Sequence, residues 1–467
     1  TKSSIYNNSM KIEIRSLFIM SLTVALLTSC LKDYDETGGE GYSDSAIISF
    51  SLGILKQKRD TLSKRGTDST YTAKIKGDKF KFYIDQNNSI IYNPDSLPYG
   101  TKTDHALTII KAKNAGSIMW KSLKSDSTKY YSSKDSVDLR QSRILRVRAQ
   151  NRTGYRDYTV KVNVHKQKPE VFVWMTLGSN ADLASLTATK AIVCGDNVFV
   201  FGQNGSQTVG YKTSITDGRT WTALPVTFTS DAYKSAIVQG KTVYISDNGT
   251  VKYSSDGNTW QTSGTNTDLV RLVASSTKEL YGLSTHGGLM VSKDNGATWT
   301  DEQLDDSKTL IPSDNIAYTY RPITTNDSID RVLLAGSATG QDRLVAWTKL
   351  ADYSKKAFNY AWAYVDIADN HYALPILTGL SMATYDNGII ALGMKDGKMI
   401  EPMISRDGGI SWRKAKAHPV PADAANFTTF TSTVDSSNFI WIIGNGKVWR
   451  GRLNRLGWTS PQKSFER

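Results

Sequence analysis

A chain of 467 residues, 39% hydrophobic and 10% aromatic, carries enough apolar side chain for two or three buried cores and too much for a disordered polymer. Two cysteines exclude a disulfide framework, and five scattered histidines with no paired His/Cys spacing argue against a zinc site, so neither metal nor cofactor is expected. The net charge of +13 is local: residues 44–166 hold 24 Lys+Arg against 11 Asp+Glu, while 167–467 hold 29 against 28.

From Met10, read as the true start, the chain runs MKIEIRSLFIMSLTVALLTSC. Lys11 and Arg15 form a positive leader, and Leu17 to Leu27 is an apolar run too short to span a bilayer but suited to a signal peptide, giving residues 1–29 that role. Leu27-Thr28-Ser29-Cys30 resembles a bacterial lipobox, which implies cleavage before Cys30 and a lipid on its thiol. Residues 30–43, acidic and glycine-rich without apolar periodicity, read as a tether. Lys32-Asp33 and the acids after it are similar to the export signal of Bacteroidetes-type surface lipoproteins, which implies an outer-membrane, cell-surface location.

Residues 44–166 alternate with period two, as strands do. In SAIISFSL, KFKFYID and the hairpin ILRVRAQNRTGYRDYTVKVNVH, one face is apolar and the other basic; Leu145, Val147 and Ala149 oppose Arg146 and Arg148. Two such sheets form a sandwich. The closing hairpin resembles the last strands of bacterial Ig-like or cadherin-like modules. Because the positive residues recur at alternate strand positions and in loops, without aromatics interleaved on one face, a solvated face is expected and nucleic acid is not an expected partner.

The second half, 167–467, repeats. SKDNGATW (292–299) has relatives in SRDGGISW (405–412), SSDGNTW (254–260) and SITDGRTW (214–221), and the tryptophans fall at 221, 260, 299 and 412. Spacings of 39, 39 and 113 residues indicate a repeat near 40, with short apolar strands before each box: the pattern of a four-stranded propeller blade. Weaker units at 314–366, where Trp362 stands in the box position without the box, and at 427–465 bring the count to six. Seven blades is the alternative, since VFVWMTL around Trp174 reads as another outer strand able to join or close the ring. The fold expected is therefore all-β: an Ig-like sandwich followed by a β-propeller.

The box is similar to the Asp-box, or BNR repeat, of sialidases, sortilin-type receptors and a photosystem assembly factor. It is carried here by Ser292, Asp294, Gly296 and Trp299; by Ser405, Asp407, Gly409 and Trp412; and in degenerate form by Ser254, Asp256 and Trp260, and by Ser214, Gly218 and Trp221. The chain as a whole resembles a Bacteroidetes-type lipoprotein family with no assigned reaction. Each box residue serves the turn locally, since carboxylate and hydroxyl accept its N–H groups, glycine takes a positive φ, and the indole packs on a neighbouring blade. The resemblance places the boxes on the outer rim, so they are read as structural.

A sialidase needs an arginine cluster, a tyrosine nucleophile with a glutamate, and an acidic proton donor. The early R-I-P motif of that family is missing, YRPI at 320–323 has the letters in the wrong order, and DEQLDD at 301–306 reads as a solvated loop. Binding of a glycan or a protein is the economical expectation, without catalysis; a sialidase-like exo-glycosidase and a structural envelope component are the alternatives. Tyr318, Tyr320 and Arg321 in the long fourth unit, with Tyr360 and His371 towards its exit, are the candidate ligand contacts.

Overall fold

The computed structural model describes residues 41–366, 370–424 and 426–455. Cys30, the residues read as a signal peptide and residues 457–460 lie outside these residues. Strand dominates, and the one α-helix among the described residues is the short Ala181–Ala184. The chain divides into two compact units between His165 and Lys166.

In the first unit, a six-stranded sheet built around the Arg143–Arg148 and Tyr155–Lys161 hairpin lies against two three-stranded sheets. The three-stranded sheets share one bent strand path, Ile47–Leu52 into Ile54–Leu62, with Gly53 at the bend donating its N–H to the Leu107 carbonyl. One core fills the space between the layers, with Phe50, Leu52 and Leu55 on one side and Trp120, Leu145, Val147 and Tyr158 on the other. The expected alternation is broken twice. A bulge between Ile47 and Ser49 leaves Ile48 and Ser49 both exposed. KFKFYID is not one strand, because a 3₁₀ turn at Gly77–Lys79 drops Phe80 into the core and only Tyr83–Asp85 is extended. On the outer face, Arg146 forms a fork to the Asp157 carboxylate (2.7 and 2.8 Å) and lies 3.8 Å over the Tyr155 ring.

The described residues of the second unit form six antiparallel sheets. Sheet 1 begins at Ala188–Cys194, sheet 2 at Ile237–Gln239, sheet 3 at Leu269–Ser275, sheet 4 at Asp314–Ile323, sheet 5 at Thr378–Tyr385 and sheet 6 at Phe430–Val434. These first strands touch in a closed circuit, each sheet meeting the next and sheet 6 returning to sheet 1. Six separate apolar clusters fill the six gaps between neighbouring sheets. Strands buried on both faces are thus near-continuous apolar runs, as in Asn197–Asn204 and Gly388–Lys395. Sheet 6 takes its fourth strand from the start of the unit: Phe172–Ser179 pairs with Lys447–Leu453. The VFVWMTL stretch therefore completes the last sheet. Pairing the two ends of the unit closes the ring by hydrogen bonds.

All four boxes form one kind of turn. Ser292 Oγ accepts the Gly296 N–H and donates to Asp294 (both 2.8 Å), Asp294 accepts the N–H and hydroxyl of Thr298, and Trp299 Nε1 donates to the Gly296 carbonyl at 3.2 Å. Ser405, Asp407, Gly409 and Trp412 repeat this arrangement, with Ser411 as the hydroxyl. Ser254, Asp256 and Trp260 do so one residue shorter. At 214–221 the roles shift: Thr213 takes the Gly218 N–H and Asp217 the Thr220 N–H, while Trp221 still bonds to the Gly218 carbonyl. Bonds from Thr298 hold the Asp294 carboxyl below the usual range. The glycines take φ between 74° and 98°. A methyl group on Gly296 would strike Val251 of the preceding sheet, and one on Gly409 would strike Leu333. The box is a joint between adjacent sheets.

Sheet 4 lacks a box and is joined to sheet 3 differently. Lys349, 2% exposed, donates to Glu302 Oε2, to Asn359 Oδ1 (3.2 Å) and to the Tyr360 carbonyl (2.7 Å). The DEQLDD loop is therefore not simply solvated. Glu302 is buried in an ion pair, and Asp305 accepts the Tyr364 N–H at 2.8 Å. Burial pushes the Glu302 carboxyl up despite the ammonium beside it.

Candidate functional site

The first strands carry polar side chains in otherwise apolar segments: Lys190 in ATKAIVC, Arg271 in LVRLVAS, Thr319 in DNIAYTYRPI, Ser381 in TGLSMATY, Thr431 in FTSTV. Several of them tie adjacent sheets together. Thr431 Oγ1 accepts the Ala191 N–H at 2.7 Å, Ser381 and Ser432 share a 2.5 Å hydrogen bond, and Thr319 meets Thr384 at 3.1 Å. Ser235 accepts the Leu272 N–H at 2.8 Å, and Tyr318 donates to the Val238 carbonyl at 3.1 Å. Hydroxyls thus line a cavity of about 660 Å³ enclosed by the first strands of sheets 1, 4, 5 and 6 and by residues of sheets 2 and 3. That is within the range of small-ligand sites, roughly 300–1,000 Å³.

A second cavity, about 510 Å³, shares Lys234 and Arg271 with the first and continues past Lys308 and Ser284. Among the described residues Asp314 is the one carboxylate lining the larger cavity and Asp231 the one lining the smaller. Burial, and then Arg271, pull the Lys190 ammonium down to about 7. Burial pushes the Tyr318 phenol up to about 12 and raises Tyr320 as well.

The five candidate contacts do not converge. Tyr318 and Tyr320 line the larger cavity, but Arg321 does not. Tyr360 is half-buried at the joint of sheets 3 and 4, edge-on to Phe358 at 4.7 Å, and His371 is exposed on the loop before sheet 5. Part of the extra chain length in the fourth unit builds the Lys349 joint, through Asn359 and Tyr360. Ser284 and His286 form a hairpin turn, in which Ser284 Oγ accepts the His286 N–H at 2.9 Å. Cys194 is a buried free thiol, pushed up to about 11 by burial. Among the described residues no group of three or more His, Cys, Asp or Glu side chains converges on a metal position.

Lys190, Lys234 and Arg271 were missed by sequence reasoning. Their signal was a lone cation inside an apolar first strand for Lys190 and Arg271; Lys234 sits in a 3₁₀ turn, Ala232–Ser235, that no pattern marks.

Residues 168–461 match the family model described as the DUF6242 beta propeller domain, and residues 50–162 match the N-terminal DUF6242 domain, of unknown function. No curated protein matches the chain. Among solved structures it is similar to YCF48 from Cyanidioschyzon merolae, at 14% identity over 59% of this chain and 98% of that one, with a TM-score of 0.33. It is similar to the fucose-specific lectin from Aleuria aurantia at 14% identity, covering 61% and 93%, TM-score 0.32. Trypanosoma rangeli sialidase in complex with the inhibitor DANA gives 13% identity, 76% and 57% coverage, and a TM-score of 0.27.

Proposed function

We propose, for a chain that belongs to the DUF6242 beta-propeller family, that it is a lipid-anchored cell-surface protein whose propeller binds a glycan or protein partner without turning it over. In this reading the six sheets are the six blades of an Asp-box propeller, four of which carry the box, the N-terminal unit is an Ig-like spacer, and the ligand enters the channel enclosed by the first strands. One observation carries it: a hydroxyl-rich cavity of about 660 Å³ has, among the described residues, Asp314 as its single lining carboxylate. Retaining and inverting hydrolysis both call for two acidic groups, or a tyrosine with a glutamate and a separate acidic proton donor, at one reacting centre. Glu302, the glutamate nearest in sequence to Asp314, is held by Lys349 between two sheets.

A glycan array probed with the chain from residue 44 onward, run beside fluorogenic glycoside assays that include a sialoside, tests the proposal. Saturable binding without turnover supports it. Turnover that disappears in Arg271→Ala would establish the glycosidase instead.

A further inference from the structure

Among the described residues four cations line the two adjacent cavities, and three of them are held by main-chain carbonyls. Lys190 Nζ donates to the Lys234 carbonyl at 2.8 Å, Lys308 Nζ to the His286 carbonyl at 3.0 Å, and Arg271 to the Ser313 carbonyl. A carbonyl takes one donor and fixes the side chain, but it leaves the positive charge unneutralised. The carboxylates in the linings are Asp231, 3.2 Å from Lys234, and the exposed Asp314. Among the described residues Lys190 makes no ion pair, although it is half-buried in the larger cavity. Among the described residues Lys190 is thus a fixed cation with no carboxylate on it, beside an Arg271 whose burial Asp314 and Asp231 offset only in part, and such held positive groups are a preorganised anion site, since their geometry is settled before the ligand arrives.

The rest of the lining narrows the ligand. Ser and Thr hydroxyls from sheets 1, 4, 5 and 6, with Tyr233 and Tyr318, offer donors and acceptors to a polyol and flat rings to its apolar faces. The two volumes suit one or two sugar rings. We propose that the junction of the two cavities binds a polyhydroxylated anion, a sugar acid or sugar phosphate, with its charged group between Lys190 and Arg271. This rests on the binding role given to the propeller above, and names the chemistry of its ligand. A bound anion favours the charged lysine, so at pH 8 the complex takes up a proton that the free protein lacks.

The test is calorimetric titration of the full chain with glucuronate, glucose 6-phosphate and glucose in two buffers of different ionisation enthalpy. Binding of one or both anions with glucose at least tenfold weaker, and proton uptake at pH 8, is expected. The stronger anion identifies the source of the charge. Lys190→Gln and Arg271→Gln should each weaken that anion at least tenfold, with melting temperature kept, while exposed Lys416→Gln changes nothing. Glucose bound as well as the anions, no anion bound at all, or an affinity indifferent to both cavity variants would overturn the proposal. Capture of neutral glycans alone on the array would do so while leaving the binding role intact, whereas glycoside turnover would strike that role itself.

Discussion

Replacing Gly409 by alanine separates what the box does as a turn from what it does as a joint. Gly409 has φ +98°, and a Cβ there would lie 2.4 Å from Leu333 Cδ2 and 2.9 Å from Cδ1, where ordinary contact begins near 3.4 Å. Leu333 is 2% exposed and packed with Ala335 and Trp412, so it cannot swing aside. Left-handed backbone costs a side-chain-bearing residue about 1–2 kcal/mol, and overpacking a filled core adds about 1–3 kcal/mol. Gly397, on the same sheet, has φ +73° but only the Phe427 carbonyl oxygen near its hypothetical Cβ, at 3.7 Å. Gly397→Ala should therefore show the backbone cost alone, about 1–2 kcal/mol, and Gly409→Ala about 2–5 kcal/mol. Urea unfolding followed by tryptophan emission reads both. Equal losses in the two variants would refute the view that the box glycine is a contact between sheets.

Three further expectations follow from buried or anchoring groups. Lys349→Met strands the Glu302 carboxylate and should lower stability by about 3–5 kcal/mol, whereas adding Glu302→Gln should recover most of the loss in thermal unfolding; no recovery would contradict the pairing. His418, 2% exposed with Nε2 3.0 Å from the Tyr385 hydroxyl, is pulled down to about 4 by burial, Arg455 and Arg406, against the pull of Asp386. Above pH 6.5 it is neutral folded and unfolded. Between 6.5 and 4 only the unfolded chain takes the proton, so stability falls by up to about 3 kcal/mol as pH drops through that window, and His418→Gln should flatten this part of a urea-midpoint profile; an unchanged slope would contradict it. Cys30→Ser should shift the protein from membrane to soluble fraction, and continued lipid labelling would contradict the proposed anchor.

How much of this was legible in the sequence depends on how local the cause is. The box turns close within eight residues, so Ser292, Asp294, Gly296 and Trp299 declared themselves, and their spacing set the sheet period. The degenerate copy at 214–221 misled at Ser214, because Thr213 accepts the Gly218 N–H in its place, while Asp217 supplies the carboxylate that the copy lacks one residue earlier. Ring closure by Phe172–Ser179 joins segments more than 260 residues apart, and no pattern within either specifies the partner. The channel was hidden for a similar reason. Lys190, Arg271 and Tyr318 stand in three separate first strands, and only closure of the ring brings them to one cavity. Length drew attention to the fourth unit, where Tyr360 and Arg321 looked available for recognition, yet part of that length supports the Lys349 joint.

A crystal structure of the protein with a ligand taken from the glycan array or the titrations would locate the binding site outright. Density is expected in the channel, within hydrogen-bond reach of Lys190 and Tyr318, from an unaltered ligand. Density at the box turns on the rim, or a cleaved product in the channel, would contradict a binding propeller of this kind.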